Sequence, residues 1–271
     1  MASQSALINV MQKASIYASK GLLRDFGEVE NLQVSRKGPA DFVSRADINA
    51  EKTIRRELAK ARPDWGFLME EGGVIEGSDP EAPVWVVDPL DGTTNFLHGI
   101  PHFAISIAVM ETDRQGRRSI TAGSVFDPVK NEFFFAEKGK GAFLNERRLR
   151  VSGRRGMADS LFATGIPFLG RGDSDEHAAF LKELASVMAV SSGVRHNGAA
   201  ALDLAWVAAG RFDGFWERGL SLWDIAAGVI LIREAGGFVS DFASRDRALD
   251  SGDVVAANPA IHGDLVKLLR G

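Results

Sequence analysis

Residues 84–96, which read Val-Trp-Val-Val-Asp-Pro-Leu-Asp-Gly-Thr-Thr-Asn-Phe, constrain this chain more than any other stretch. The apolar run 84–87 predicts a buried strand, and Pro89 predicts the point where it breaks. Asp88 and Asp91 then stand three residues apart, followed by Gly92, Thr93 and Thr94. Like charges held close together raise each other's pKa, so paired acids at a strand end need a compensating partner. A hard divalent cation such as Mg²⁺ is one, because it takes oxygen ligands and is usually held by a few carboxylates and a substrate phosphate. Gly92 lets the backbone approach a ligand closely, and N–H groups of residues 92–94 at a helix start suit an anion. The same residue types are also ordinary turn and N-cap formers, so the string alone is equally a plain strand-to-helix turn.

Two more acidic features stand far away in sequence. Glu70-Glu71 ends the apolar run 65–69 and precedes Gly72-Gly73. A lone Glu-Glu pair is ordinarily a solvated loop, but at the end of an apolar strand it presents its carboxylates. Asp224 opens the apolar helix that begins Leu222-Trp223, where an acid is also an ordinary N-cap. Glu217, at the end of a predicted strand, faces the same cleft. Three acidic sites, each at an element end, point to an assembled cluster of oxygen ligands. The absence of cysteine excludes disulfides, thiolate metal sites and a cysteine nucleophile. No GxxxxGK[ST] or GxSxG string is present. His98 and His102 are four apart, but Pro101 lies between them and no HExxH accompanies them, so no zinc pair is expected.

The 271 residues are 45% apolar and 25% charged with a net charge of −4, a soluble globular balance with no basic field for nucleic acid or anionic membrane. Residues 1–5 lack the blocks of a signal peptide, and the apolar run 103–110 is too short to span a bilayer, so a cytoplasmic protein is expected. Helical spacing predicts a first helix over residues ~5–25, ending near Gly27. A polar loop over 35–41 contains Gly38-Pro39. Ser44 and Asp47 then form a capping box for a second helix, which stops at Pro63. Residues 74–83 read as a loop. Runs 103–110, 120–126, 132–136 and 141–144 predict an antiparallel meander. Beyond the Gly/Arg-rich patch 152–158, helices are expected at ~175–189, ~198–210, ~223–235 and ~259–270, alternating with strands at 161–164, 190–194, 212–216, 237–241 and 254–257. Gly170-Arg171-Gly172-Asp173 reads as a surface loop. The change of texture near residue 147 predicts an N-terminal α+β lobe, 1–146, and a C-terminal α/β lobe, 147–271, with the acidic loop facing the cleft between them.

Glu70-Glu71, the 88–96 string, Trp223-Asp224 and Glu234-Ala235-Gly236-Gly237 together resemble the inositol monophosphatase family. That family belongs to the lithium-sensitive, Mg²⁺-dependent phosphatase superfamily with fructose-1,6-bisphosphatase. The resemblance covers almost the whole chain, from Lys37–Asp41 and Asp47 onward. It implies a layered α-β-α-β-α sandwich, a homodimer, and two or three Mg²⁺ ions per active site. Glu70, Asp88 and the Leu90 carbonyl would hold a first ion, and Asp88, Asp91 and Asp224 a second. A third, weaker ion would lean on Glu70. The implied catalytic residues are Glu70, Asp91 and Thr93. Gly92 and Thr93 would hold phosphate, while Ala200, Glu217 and Asp224, with Gly198 and Ala199 beside them, would line a small phosphorylated polyol.

The implied activity is hydrolysis of myo-inositol 1-phosphate to inositol and phosphate by water, without a covalent phospho-enzyme. Asn95-Phe96 is similar to the inositol branch rather than the nucleotide branch, which carries an acid before the Phe. The alternative keeps this chemistry on fructose-1,6-bisphosphate, histidinol phosphate or a 3′-phosphonucleotide, with Arg195 and Arg218 as candidate contacts for a second phosphate. A competing reading of another class makes the chain a partner of the transcription machinery, as some bacterial relatives are. Its acidic balance offers no basic stripe, so direct nucleic-acid contact is not expected.

Overall fold

A computed structural model describes residues 4–26, 28, 34–38, 41–113, 115–168, 170 and 172–271. In chain order its first half carries α1 (Ala6–Phe26), β1 (Val34–Gly38), β2 (Asp41–Ser44), α2 (Arg45–Ala61), β3 (Gly66–Met69), β4 (Gly73–Ile75), β5 (Val84–Asp91) and α3 (Thr93–Leu97). The meander follows as β6 (Ala104–Thr112), β7 (Arg118–Asp127), β8 (Glu132–Glu137), β9 (Gly141–Leu144) and β10 (Arg147–Arg148). The remainder alternates β11 (Leu161–Thr164), α4 (Ser174–Met188), β12 (Gly193–Arg195), α5 (Ala200–Ala208), β13 (Gly214–Glu217), α6 (Leu222–Glu234), β14 (Phe238–Ser240), α7 (Ala248–Ser251), β15 (Val254–Ala257) and α8 (His262–Arg270).

The apolar periodicities become layers. Ile8, Met11, Ala14, Ala18 and Leu22 of α1 and Ala50, Ile54 and Leu58 of α2 are buried. They share one core with Trp85, Val87, Ile105 and Ile107, which lie on one face of an eight-stranded sheet. That sheet runs β10-β9-β8-β7-β6-β5-β3-β4 and is antiparallel except where β3 pairs parallel with β5. Strand side chains alternate between faces, so Val86, Ala108, Val125 and Phe134 belong to a second core on the other side. This second core is filled by α5 and α6 and closed by Ala163, Phe215 and Ala256 of a five-stranded sheet ordered β12-β11-β13-β15-β14. Helices apolar all round are buried all round, and α5 and α6 sit between the two sheets for that reason. The outer face of the second sheet, Phe162, Trp216 and Val255, packs with Val187 of α4 and Leu265 and Leu269 of α8. The result is the expected α-β-α-β-α sandwich.

Several local expectations change. Where a loop was expected over 35–41, residues 35–38 and 41 belong to the paired strands β1 and β2, from Val34↔Ser44 to Gly38↔Asp41. Pro39, Ala40, Gly27 and Arg171 lie outside the described residues. The 74–83 loop begins as β4, a three-residue strand paired with β3, too short for an alternating pattern to register. The 190–194 strand is Gly193–Arg195. Pro89 does not break β5, which runs on to Asp91. The pairing with β6 slips between Asp88↔Ser106 and Asp91↔Ala104, and that bulge needs no ladder hydrogen bond from proline. Among the described residues no helix is long and apolar enough to cross a membrane.

Candidate active site

The bulge at the end of β5 turns its acids in two directions. Asp88 is buried and its Oδ1 accepts the Leu90 N–H at 2.9 Å, inside the bulge itself. Asp91 Oδ2 accepts the Ala201 N–H at 2.8 Å. That bond caps α5, whose own N-cap residue, Ala199, has no side chain to do so. Asp224 is the N3 residue of α6 and its Oδ2 accepts the Ser221 N–H at 2.8 Å, a capping box. Glu70 follows β3 directly and its N–H donates to the Val87 carbonyl at 3.2 Å. Backbone N–H groups thus account for one oxygen on each of the three aspartates and fix its direction.

The residues expected to hold metal, phosphate and polyol meet on one open cavity of about 500 Å³. Glu70, Asp88, Leu90, Asp91, Gly92, Thr93, Ala200, Glu217 and Asp224 line it, with Gly198 and Ala199 beside them. Burial pushes Asp88 well above the usual carboxylate range, and the charges of Glu70, Asp91 and Asp224 push it further. Asp91 is raised in the same way, by burial first and then by Asp224, against the pull of the Ala201 N–H. No lysine or arginine is among the described residues that line the cavity. Four carboxylates that repel one another without a cationic side chain beside them leave their charge uncompensated, and an all-oxygen donor set is of the kind a hard cation such as Mg²⁺ takes. Among the described residues no three or more His, Cys, Asp or Glu side chains stand close enough together to hold a metal ion without some rearrangement.

The left-handed backbone at Gly92, φ 92°, lets the chain turn from β5 into α3. A Cβ there would stand 3.0 Å from the His102 carbonyl and 3.3 Å from both Ala199 Cβ and the Gly198 carbonyl. The loops at 92 and 198 are therefore pressed together, and Asn95 ties them. Its Nδ2 donates to the carbonyls of Asn197 at 2.7 Å and His102 at 2.8 Å. Asn95, read from sequence as a mark of substrate branch, is a buried strut here.

Sequence reasoning missed four contributors. Asp47 was assigned only a capping role, and it does accept from the Ser44 N–H. Its other oxygen, Oδ1, lies 3.1 Å from the Thr93 hydroxyl, which stands at the same distance from the Leu90 carbonyl, and burial raises the pKa of Asp47. Asp203 lines the cavity, bonded to Asn197 Nδ2 at 2.7 Å, and burial lifts it to about 7. Gly165 leaves room for Glu217: a Cβ there would fall 2.0 Å from the Glu217 carboxyl carbon. His196 also lines the cavity, with Nδ1 3.1 Å from the Thr164 carbonyl. The Ser44–Asp47 capping-box spacing was the one legible signal, and it gave no sign that Asp47 would be buried beside Thr93. Arg195 and Arg218 are not brought to the cavity. Arg218 pairs with Glu183 and lies 3.4 Å from the Phe242 ring centre, and Arg195 Nη1 donates to the Val194 carbonyl.

The model of the inositol monophosphatase family matches residues 3–271. A curated relative from Mesorhizobium japonicum, named inositol-1-monophosphatase, is 58% identical over 268 residues, 99% of this chain and 97% of the relative. A relative from Pseudomonas aeruginosa named Nus factor SuhB is 46% identical over 253 residues, covering 93% and 91% of the two chains. The crystal structure of the extragenic suppressor protein SuhB from Bartonella henselae superposes with a TM-score of 0.92 at 53% identity, covering 98% of this chain and 99% of that one.

Proposed function

This chain belongs to the inositol monophosphatase family, and from that premise we propose that the cavity hydrolyses myo-inositol 1-phosphate to inositol and phosphate with the help of Mg²⁺. The observation that carries the reading is the convergence of Glu70, Asp88, Asp91 and Asp224 on one cavity beside the Thr93–Asp47 hydrogen bond.

Phosphate monoesters hydrolyse extremely slowly unaided, and their loose transition state asks for positioning and charge stabilisation rather than covalent chemistry. Glu70, Asp88 and the Leu90 carbonyl would hold one Mg²⁺, and Asp88, Asp91 and Asp224 another, with Glu70 serving a third. When bound, these ions lower the pKa of water and offset the charge of the phosphoryl and leaving oxygens. The chain supplies the rest. Thr93 Oγ1 donates to Asp47 Oδ1 and offers a lone pair to the attacking water. As Thr93 Oγ1 takes the water's proton, its own passes to Asp47, a better base for being buried. Glu70 orients the water from the other side. The N–H groups of Gly92 and Thr93 hold the phosphate, while Ala200 and Glu217 contact the polyol, whose hydroxyls suit a carboxylate acceptor. The lobe 1–146 would supply three of the acids, and the lobe 147–271 would complete the site.

The test is phosphate release from myo-inositol 1-phosphate with and without Mg²⁺, beside fructose-1,6-bisphosphate, histidinol phosphate and a 3′-phosphonucleotide. Fast Mg²⁺-dependent release from the inositol ester is expected. Release from a rival alone would change the substrate, and release from none would overturn the enzyme reading. The name of the Pseudomonas relative, Nus factor SuhB, supports a second reading in which the chain binds the transcription machinery as a protein partner. Pull-down with RNA polymerase tests it.

A further inference from the structure

Two buried acids stand one turn apart on α2, Asp47 and Glu51. Residues four apart on a helix share a face. Carboxylates are rarely buried without a partner, and each of these two reaches a different loop of the cavity. Asp47 holds the Thr93 hydroxyl, as described. Glu51, only 7% exposed, accepts the Glu71 N–H on Oε2 at 2.9 Å. We propose that Glu51 is a positioning residue: by clasping the turn at Glu71 it places the Glu70 carboxylate and so sets the affinity of the cavity for its cation. This rests on the cation reading above.

A second observation, independent of that hydrogen bond, concerns Gly72. Its φ is outside the left-handed region, so its backbone would tolerate a side chain. A Cβ there would nevertheless sit 2.8 Å from Glu51 Oε1 and 2.8 Å from Met69 Cε. Two consecutive residues of the turn are thus pressed on one carboxylate. On that side the turn borders an open cavity of about 540 Å³ lined by Ile48, Glu51, Arg55, Met69, Glu70 and Gly72 among others. Packing alone therefore does not fix the turn. The Met69↔Gly73 pairing of β3 with β4 closes it, and the Glu51 bond and the Glu70 N–H to the Val87 carbonyl hold its two glutamates in place.

The experiment compares Glu51→Ala, Glu51→Gln and Gly72→Ala with the wild-type chain, using calorimetric titration of Mg²⁺ into substrate-free protein and phosphate release over a range of Mg²⁺. Glu51→Ala is expected to weaken Mg²⁺ binding about tenfold, the equivalent of about 1.4 kcal/mol. The Mg²⁺ needed for half-maximal turnover should rise by the same factor, while kcat at saturating Mg²⁺ stays within about twofold, because the bond acts on placement and not on the reacting atoms. Glu51→Gln keeps an acceptor for the Glu71 N–H and should stay within about twofold of wild type on both readouts. Unaltered Mg²⁺ affinity in Glu51→Ala, or an equal loss in Glu51→Gln, overturns the proposal. Should Glu51→Ala lose its circular-dichroism melt, Gly72→Ala decides. It keeps Glu51 but puts a Cβ against its carboxylate and so displaces the clasp, and wild-type affinity there would also overturn the proposal. A wild-type chain that takes up no Mg²⁺ would sink the cation reading itself, a result distinct from these.

Discussion

At the scale of the residue, the cavity is a place where charge is stored against stability. Asp203, buried and lifted to about 7 from an ordinary 3.8, binds a proton more tightly folded than unfolded. Such a carboxyl stabilises the fold least when ionised: its contribution is full below the unfolded pKa and is lost as pH rises from about 4 towards 7. Asn in its place keeps an oxygen for Asn197 Nδ2 and has no proton to lose. Asp203→Asn should therefore gain on wild type steadily between pH 4 and 7 in urea unfolding of metal-free protein; a constant difference would show that Asp203 is not the titrating group. Asp91→Asn should behave likewise at neutral pH, since Asn retains an acceptor for the Ala201 N–H while removing repulsion from Asp88 and Asp224. The expected outcome is a melting temperature of the metal-free protein higher by about 2–4 °C per kcal/mol relieved, with turnover lower by orders of magnitude. Near-normal turnover would remove Asp91 from the ligand set. Thr93→Ala and Asp47→Asn should each lower kcat by about 10²–10⁴, and Thr93→Ser, which keeps the hydroxyl, should recover most of it.

At the scale of the element, small residues let α5 and α6 approach each other inside the sandwich. A Cβ on Gly228 would stand 2.5 Å from Leu204 Cβ. Gly228→Ala should destabilise the chain by about 1–3 kcal/mol through overpacking, measured by denaturant midpoint, and a neutral result would mean the two helices are free to separate. Gly165→Ala acts on the site instead. Its Cβ would overlap the Glu217 carboxyl, so KM for the polyol ester should rise more than kcat falls. These contacts show what could be read in advance and what could not. The helix α2 was legible from Ser44 and Asp47, and the strands β6 to β9 from alternation between turns, because local periodicity and capping act over neighbouring residues. Glu70, Asp91, Glu217 and Asp224 were legible because each stands at or beside an element end, and Asp88 because it stands three residues before Asp91. The roles of Gly165, Asp203 and Glu51 were not, since each depends on a partner 52, 6 and 20 residues away whose distance only packing sets. Pro89 misled for the opposite reason: a local rule for strand ends yielded to a bulge that needed no donor there.

At the scale of the whole molecule, the cavity is a seam. Glu70, Asp88 and Asp91 come from the C-terminal ends of the neighbouring inner strands β3 and β5 of the eight-stranded sheet, Asp224 from the buried helix α6, and Glu217 from the five-stranded sheet. The hydrogen bond from Ala201 to Asp91 already crosses from α5 to β5, yet the acids on either side repel across the seam. A cation held from both sides would reverse the sign of that interaction and bind the layers together. Ligand that binds only the folded state stabilises it by RT ln(1 + [L]/Kd), about 2.7 kcal/mol at a hundred times Kd. For a chain of this size that should appear as a rise of roughly 5–10 °C in melting temperature, growing with the logarithm of Mg²⁺ concentration. Asp224→Asn removes the one acid contributed by α6, so its rise should be distinctly smaller while its metal-free melt is at least as high as that of wild type. Equal Mg²⁺ shifts in the two proteins would place the ion on the β5 side of the seam alone, and the layers would then owe their cohesion to α5 and α6 packing rather than to a shared metal.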